Sequence, residues 1–337
     1  MNLSVLDQSP VSSGDTPAAA IRHSLALARH CDALGYARYW LSEHHNSHSI
    51  AGSAPEVLMA AIAASTARIR VGSAGVMLPH YSALKVAEQF RVLEALAPGR
   101  IDLGLGRAPG TDRLTARALN PHASPGADAF PQQVRDLQDW LDGTRMPEGH
   151  PFRAIRAQPQ GPTSPQMWIL GSSDYGAQLA AHLGLPYAYA YFFNDGQGVE
   201  QALALYRRNY RPSARHPAPE ATICVWALAA DSEAEARRQL MTREHWRVRF
   251  EQGVLAPLVE PDEAAAYAYS APESARIVQL RANALVGTGP QVAQQIGALA
   301  ARLGLDHVVV NTWAFDPAVR QHSYTLLARA FELGAGH

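Results

Sequence analysis

The stretch WLSEHHNSH, residues 40–48, places a carboxylate and two imidazoles, Glu43, His44 and His45, at the end of a short apolar run. Polar titratable groups in such a place need hydrogen-bond partners, because each one buried without a partner costs about 1–3 kcal/mol. Imidazole also titrates near neutrality, so a histidine here is suited to exchanging protons with a bound molecule. If the strand persists through this stretch, His44 and His45 point to opposite sides and only one of them faces a site. A catalytic metal is disfavoured, because Asp7 and His80 are the only further ligands at hand and no strand carries an HxH pair. No metal ligand is assigned.

A second group could hold an anion. Ser172 and Ser173 stand between a strand-like run and a helix-like run, and Gly171 before them lets the backbone come close. Hydroxyls and amides at a helix start bind phosphate well, and Arg107, just past another strand, could supply a charge-assisted contact. Each feature alone also fits plain helix capping and a surface arginine. A third group, Ala74 and Gly75 in SAGVMLPHY (73–81), offers no functional side chain. Small residues at a strand tip allow a flat ring to stack on the backbone, or an unusual peptide geometry, or simply the start of a loop.

Positioning these residues requires strands that end at one rim. Strand-like runs fall at 3–6, 36–41, 69–74, 101–105, 167–170, 187–190, 222–229 and 307–311. Many end in small or polar residues: DQS at 7–9, SAG at 73–75, GRA at 106–108, GSSD at 171–174 and NTW at 311–313. Helix-like runs alternate with them at 17–34, 55–66, 83–97, 127–141, 174–183, about 196–210, after Asp231 as cap, 290–303 and 316–333. Strict alternation predicts a TIM (β/α)8 barrel with its site at the carboxyl rim. No GxGxxG follows the first strand, which argues against an open dinucleotide-binding sheet. The 337 residues are read as one domain with two excursions. One, at 143–165, carries five prolines; the other, at 250–286, lacks periodicity and is expected to be a mobile lid.

Composition narrows the class. A net charge of −1 gives no electrostatic reason to expect nucleic acid or an anionic membrane, and no apolar run is long enough to span a bilayer. The start of the chain does not read as a signal peptide, which predicts a cytoplasmic protein. Cys31 and Cys224 fall on different element types and are expected to be unpaired.

Three stretches, LSEHHNS, RIRVGSAGVMLPHYSALKVAEQFRVLEALAPGRIDLGLGRAPG and ILGSSDYGAQLAAHLGLP, resemble the bacterial luciferase-like flavin-dependent monooxygenase family. The likeness is strongest over 36–108 and 166–186, and closest to single-chain members of unassigned substrate. The resemblance implies a luciferase-like barrel that binds reduced FMN, supplied by a separate NAD(P)H:flavin reductase. His44 falls on the family's catalytic histidine. Ala74 and Gly75 fall on its cis peptide against the flavin ring, and Arg107 and Ser172 on its phosphate ligands. Gly106 stands where luminescent members carry a reactive cysteine, and Gly171 and Tyr175 replace an acidic residue and a threonine near the phosphate. A light-emitting role is therefore not expected. The resemblance implies oxidation of a small apolar or carbonyl-containing molecule with O2, and leaves a homodimer open. Trp226, Tyr191, Phe192, Phe193 and Trp313 could form its pocket or merely pack. Two rival readings stay open: a non-catalytic flavin-binding protein, and a deazaflavin-dependent enzyme that transfers hydride.

Overall fold

The computed structural model describes residues 1–121 and 129–334. The chain opens with β1 (Asn2–Asp7), α1 (Pro17–Leu34), β2 (Arg38–Leu41), α2 (Pro55–Ser65), β3 (Arg70–Met77), α3 (Ala83–Leu96) and β4 (Ile101–Gly106). Two helices, α4 (Arg113–Leu119) and α5 (Phe130–Asp142), then precede β5 (Gln166–Gly171), α6 (Asp174–Leu183), β6 (Tyr187–Tyr189) and α7 (Val199–Asn209). After β7 (Ala221–Ala230) come three helices, α8 (Glu233–Glu251), α9 (Pro261–Ala266) and α10 (Ala271–Ala282). The chain ends with β8 (Leu285–Thr288), α11 (Gly289–Leu303), β9 (His307–Asn311) and α12 (Pro317–Ala330).

Eight strands close a parallel barrel in the order β1, β2, β3, β4, β5, β6, β7, β9 and back to β1. The expected TIM barrel is therefore present. A ninth strand, β8, lies outside the closed ring. It pairs only with the second half of β7, Ala227 to Ala230, while the first half of β7 carries the barrel pairing to β9.

Period-two alternation sorts the strand residues. Leu3, Val5, Tyr39, Leu41, Val308 and Val310 face the surrounding helices. Leu6, Trp40, Trp168, Ala188, Cys224 and Val309 pack together inside the barrel, with the Trp40 and Trp168 rings 5.2 Å apart in an edge-on contact. At the base, buried Asp102 accepts hydrogen bonds from Arg38 at 2.7 Å, Arg70 at 2.6 Å and the Trp40 indole at 2.9 Å. That network fixes the amino ends of β2, β3 and β4 and leaves the carboxyl rim for the site.

Several local expectations need correction. The helix after β7 is capped by Ser232, whose hydroxyl accepts from the Glu235 amide at 3.2 Å, and not by Asp231. The loop after β4 contains α4, capped by Asp112. The start of the helix expected at 127 lies outside the described residues, and α5 begins at Phe130. The segment 250–286 is not patternless. It holds α9, α10 and the first part of β8, pinned to α8 by Arg281–Glu244 at 2.7 Å and Arg276–Glu251 at 2.9 Å. Ile277 and Leu280 of α10 also pack on Val248. The segment is therefore largely helical, with α10 packed on α8. The excursion at 143–165 is irregular as expected, and Arg91 gathers it by bonding the carbonyls of Pro159 and Thr163, each at 2.8 Å. Cys31 and Cys224 are buried and unpaired. Among the described residues no helix is long and apolar enough to cross a membrane.

Candidate active site

β2 ends at Leu41, so the strand alternation expected for His44 and His45 does not apply. Both histidines line one cavity of about 390 Å³ at the carboxyl rim. They differ in what holds them. The His44 amide donates to the Gly52 carbonyl at 2.9 Å, and its Nδ1 lies 3.1 Å from the Ser42 hydroxyl. Burial, then the charge of His45, push the His44 imidazole down to about 4, so it is neutral at pH 7. His45 instead turns its Nε2 to Glu43 Oε1 at 2.8 Å.

Glu43 organises this corner. It is 1% exposed, and besides His45 it accepts the Tyr81 hydroxyl at 2.6 Å and the Met77 amide at 3.0 Å. Three donors to one buried carboxylate explain why a charge is tolerated there. The carboxylate thus ties the turn after β2 to the end of β3. Asp7 and His80, the spare ligand candidates, are engaged elsewhere. Arg320 pairs with Asp7 at 2.7 Å, and His80 Nε2 meets the Pro109 carbonyl at 2.7 Å.

The Ala74–Gly75 peptide is cis, so the unusual peptide geometry among the expectations is the one found. It lies within β3, where the register against β4 shifts between Ser73 and Val76. A side chain at Gly75 would stand 2.6 Å from Leu170 Cδ1 and 2.8 Å from the Gly104 carbonyl, so the close approach requires glycine. Leu170 belongs to β5, two residues before Ser172, which puts this peptide beside the α6 entrance.

Ser173 is the N-cap of α6, a helix of 10 residues, yet its hydroxyl makes no bond to the helix. Arg107 is exposed just past β4, with its guanidinium 3.9 Å from the centre of the Tyr175 ring on α6. The structure therefore gathers Arg107, Ser172, Ser173 and Tyr175 at one entrance. It does not place them, or Ala74 and Gly75, on the walls of the cavity that holds His44.

The remaining walls combine an aromatic part with polar residues that include Gln8, Asn46, Asp112 and Asn311. Phe192, Phe193, Trp226 and Trp313 line the cavity as the sequence allows, whereas Tyr191 does not. The sequence reading misses one wall, contributed by α8: Arg243, Trp246, Arg247 and Phe250. Their spacing of i, i+3, i+4 and i+7 is a single helical stripe and was the available signal.

The sequence pattern of the luciferase-like monooxygenases matches residues 1–328. The chain belongs to the luciferase-like monooxygenase family. It is 42% identical over 323 residues to a luciferase-like monooxygenase of Escherichia coli K12, covering 96% of this chain and 95% of that one. It is 37% identical over 332 residues to an N-acetyl-S-alkylcysteine monooxygenase of Bacillus subtilis, covering 98% of each. Apo-MsnO8, 39% identical, superposes with a TM-score of 0.89 over 98% of both chains. Two more distant structures share the fold alone. One is the oxygenating constituent of a 3,6-diketocamphane monooxygenase in complex with FMN, at 18% identity, TM-score 0.72, covering 98% of this chain and 97% of that one. The other is an F420-dependent secondary alcohol dehydrogenase, at 13% identity, TM-score 0.66, with the same coverage. As a member of this family the protein is an oxidoreductase of the monooxygenase type, on a fold that elsewhere accepts FMN or F420.

Proposed function

We propose that this luciferase-like monooxygenase uses reduced FMN, delivered by a separate NAD(P)H:flavin reductase, to oxidise a small organic molecule with O2. The observation that carries the reading is the division of the rim into two parts. A cation and two hydroxyls stand at the start of α6, and a neutral histidine stands on the wall of an aromatic cavity.

The residues present fit FMN. Arg107, Ser172, Ser173 and the first amides of α6 would hold its phosphate, because helix amides and a guanidinium together favour a dianion. Ala74 and Gly75 would support the flat ring, with no Cβ at Gly75 to obstruct it. Bound reduced FMN supplies the electron pair with which dioxygen is activated.

The chain's own residues do the rest. His44 enters the reaction neutral and is therefore a proton acceptor at neutral pH. Its Nδ1 is engaged with the Ser42 hydroxyl, which leaves Nε2 for the bound molecule. Trp226, Trp313 and Phe192 hold an apolar substrate and exclude water, which limits unproductive loss of the activated oxygen.

The test supplies the protein with reduced FMN or a reduced deazaflavin under isotopically labelled dioxygen. Aldehydes, ketones and thioethers are the substrates, the last prompted by the Bacillus relative. Labelled oxygen in a product formed only with FMN supports the reading. Product formed only with the deazaflavin and without label favours hydride transfer, and tight FMN binding with no product favours a flavin-binding protein.

A further inference from the structure

Several arginines at or near the interior have anionic or carbonyl partners. Arg320 holds Asp7, Arg38 and Arg70 hold Asp102, and Arg91 holds carbonyl groups. Arg243 breaks the pattern. It is only 8% exposed, yet among the described residues it has no hydrogen-bond or ion-pair partner. Its guanidinium lies 4.3 Å from the centre of the Trp226 ring and faces the cavity that His44 lines.

Neighbouring charges do not meet this need. Arg247, one turn further along α8, donates to the Phe193 carbonyl at 2.7 Å and pairs with Glu251 at 2.7 Å. Asp195 is held by Arg276 at 3.2 Å, Glu244 by Arg281 at 2.7 Å, and Asp112 on the cavity wall accepts from Asn46 at 3.0 Å. A buried guanidinium without a counter-charge is costly, and stacking on an indole recovers only part of that cost. Burial, then the charge of Arg247, draw Arg243 down to about 9, with Asp195 and Glu244 pulling the other way. A group so placed is complete only when something in the cavity brings the missing anion.

We infer that Arg243 binds the carboxylate of the substrate, so that the protein acts on molecules with an apolar body and one carboxylate. A single planar guanidinium offers a two-pronged match to a carboxylate. Among the other walls, Ile50, Phe192, Trp246, Phe250 and Trp313 suit an apolar body. Trp226 on β7 and His44 after β2 are separated around the barrel by β1 and β9, so the anchored end and the reacting end of the molecule lie on different walls. This inference rests on reading the cavity as the substrate site.

The test is equilibrium binding to the full chain without added flavin, followed by tryptophan fluorescence. The probes are 5-phenylpentanoate, its primary amide and the matching sulfonate. The carboxylate is expected to bind at least about tenfold more tightly than the amide and no more weakly than the sulfonate. In Arg243→Met the preference over the amide should shrink to within about threefold, and Arg243→Lys should retain part of it. Because the charge has no protein partner, Arg243→Met should melt no lower than the parent. Equal binding of carboxylate and amide overturns the inference, as does a sulfonate preferred by tenfold or a retained preference in folded Arg243→Met. If Arg243→Met does not fold, the charge has a structural role and the inference also fails. These readouts need no flavin, so they stand apart from the failure of FMN to bind or to support oxidation.

Discussion

The guanidinium of Arg107 stacks 3.9 Å from the centre of the Tyr175 ring, joining the residue past β4 to the first turn of α6. The contact aims a long, exposed cation at a helix start that already carries two serines. If this is the phosphate grip, Arg107→Ala should weaken FMN binding by about 1.5–3 kcal/mol, the usual worth of a hydrogen bond to a charged group. Tyr175→Leu should weaken it less, because it removes the support for the cation and not the cation itself. A flavin titration of both variants checks the order; unchanged affinity in Arg107→Ala removes that residue from the site.

His44 and His45 share a wall but are held by different partners. His44→Ala should lower turnover by about 100- to 10,000-fold, while FMN affinity stays within roughly tenfold. His45→Ala should keep most of the activity and instead lower stability by about 1.5–3 kcal/mol, since it removes one of the donors to Glu43. Steady-state rates and urea unfolding of the pair decide this. Loss of turnover in a folded His45→Ala, with His44→Ala active, reverses the assignment.

Acid should weaken the fold through two buried histidines. Burial, then the charge of Arg38, push His307 down to about 3, and His44 is drawn down to about 4. The unfolded chain takes up these protons near pH 6.5 whereas the folded chain resists them. Stability is therefore fully present above about pH 6.5 and falls as the pH drops toward the folded values. His307→Gln should lose about 1–2 kcal/mol less than the parent between pH 7 and pH 5. Urea unfolding at the two pH values measures it, and parallel losses in the two proteins contradict it.

Asp102 should matter to folding and not to chemistry. Its removal strands Arg38, Arg70 and the Trp40 indole at the barrel base, so Asp102→Ala should cost about 3–5 kcal/mol. Denaturant midpoints check the size. A change below about 1 kcal/mol would mean that water serves the arginines as well as the carboxylate does.

The barrel was legible because its strands alternate with helices whose faces repeat cleanly, as in Leu27, Ala28 and Cys31 of α1. The residues after 250 were not, because α9 has only 6 residues and α10 is held on α8 by ion pairs as much as by the apolar contacts of Ile277 and Leu280, so its apolar stripe is narrow. Even so, the capping box of Ser270 and Glu273 marked a helix start in the sequence. At the site, residue types at strand ends pointed to Glu43, His44 and the Ser172–Arg107 entrance. They showed the strand ending at Leu41 but could not reveal that the turn after it lets both histidines reach one cavity. Arg243 was invisible for a different reason. A lone arginine on a charged helix looks solvated until the fold shows that no carboxylate meets it.

The central claim, that the rim holds FMN through its phosphate at Arg107 and the start of α6, is tested most directly by anaerobic titration of the protein with reduced FMN and reduced riboflavin. The account predicts that FMN binds at least about tenfold more tightly than riboflavin, and that the advantage is lost in an Arg107→Ala, Ser172→Ala double variant. Equal affinity for the two flavins in the parent protein, or an undiminished preference in the double variant, would contradict it.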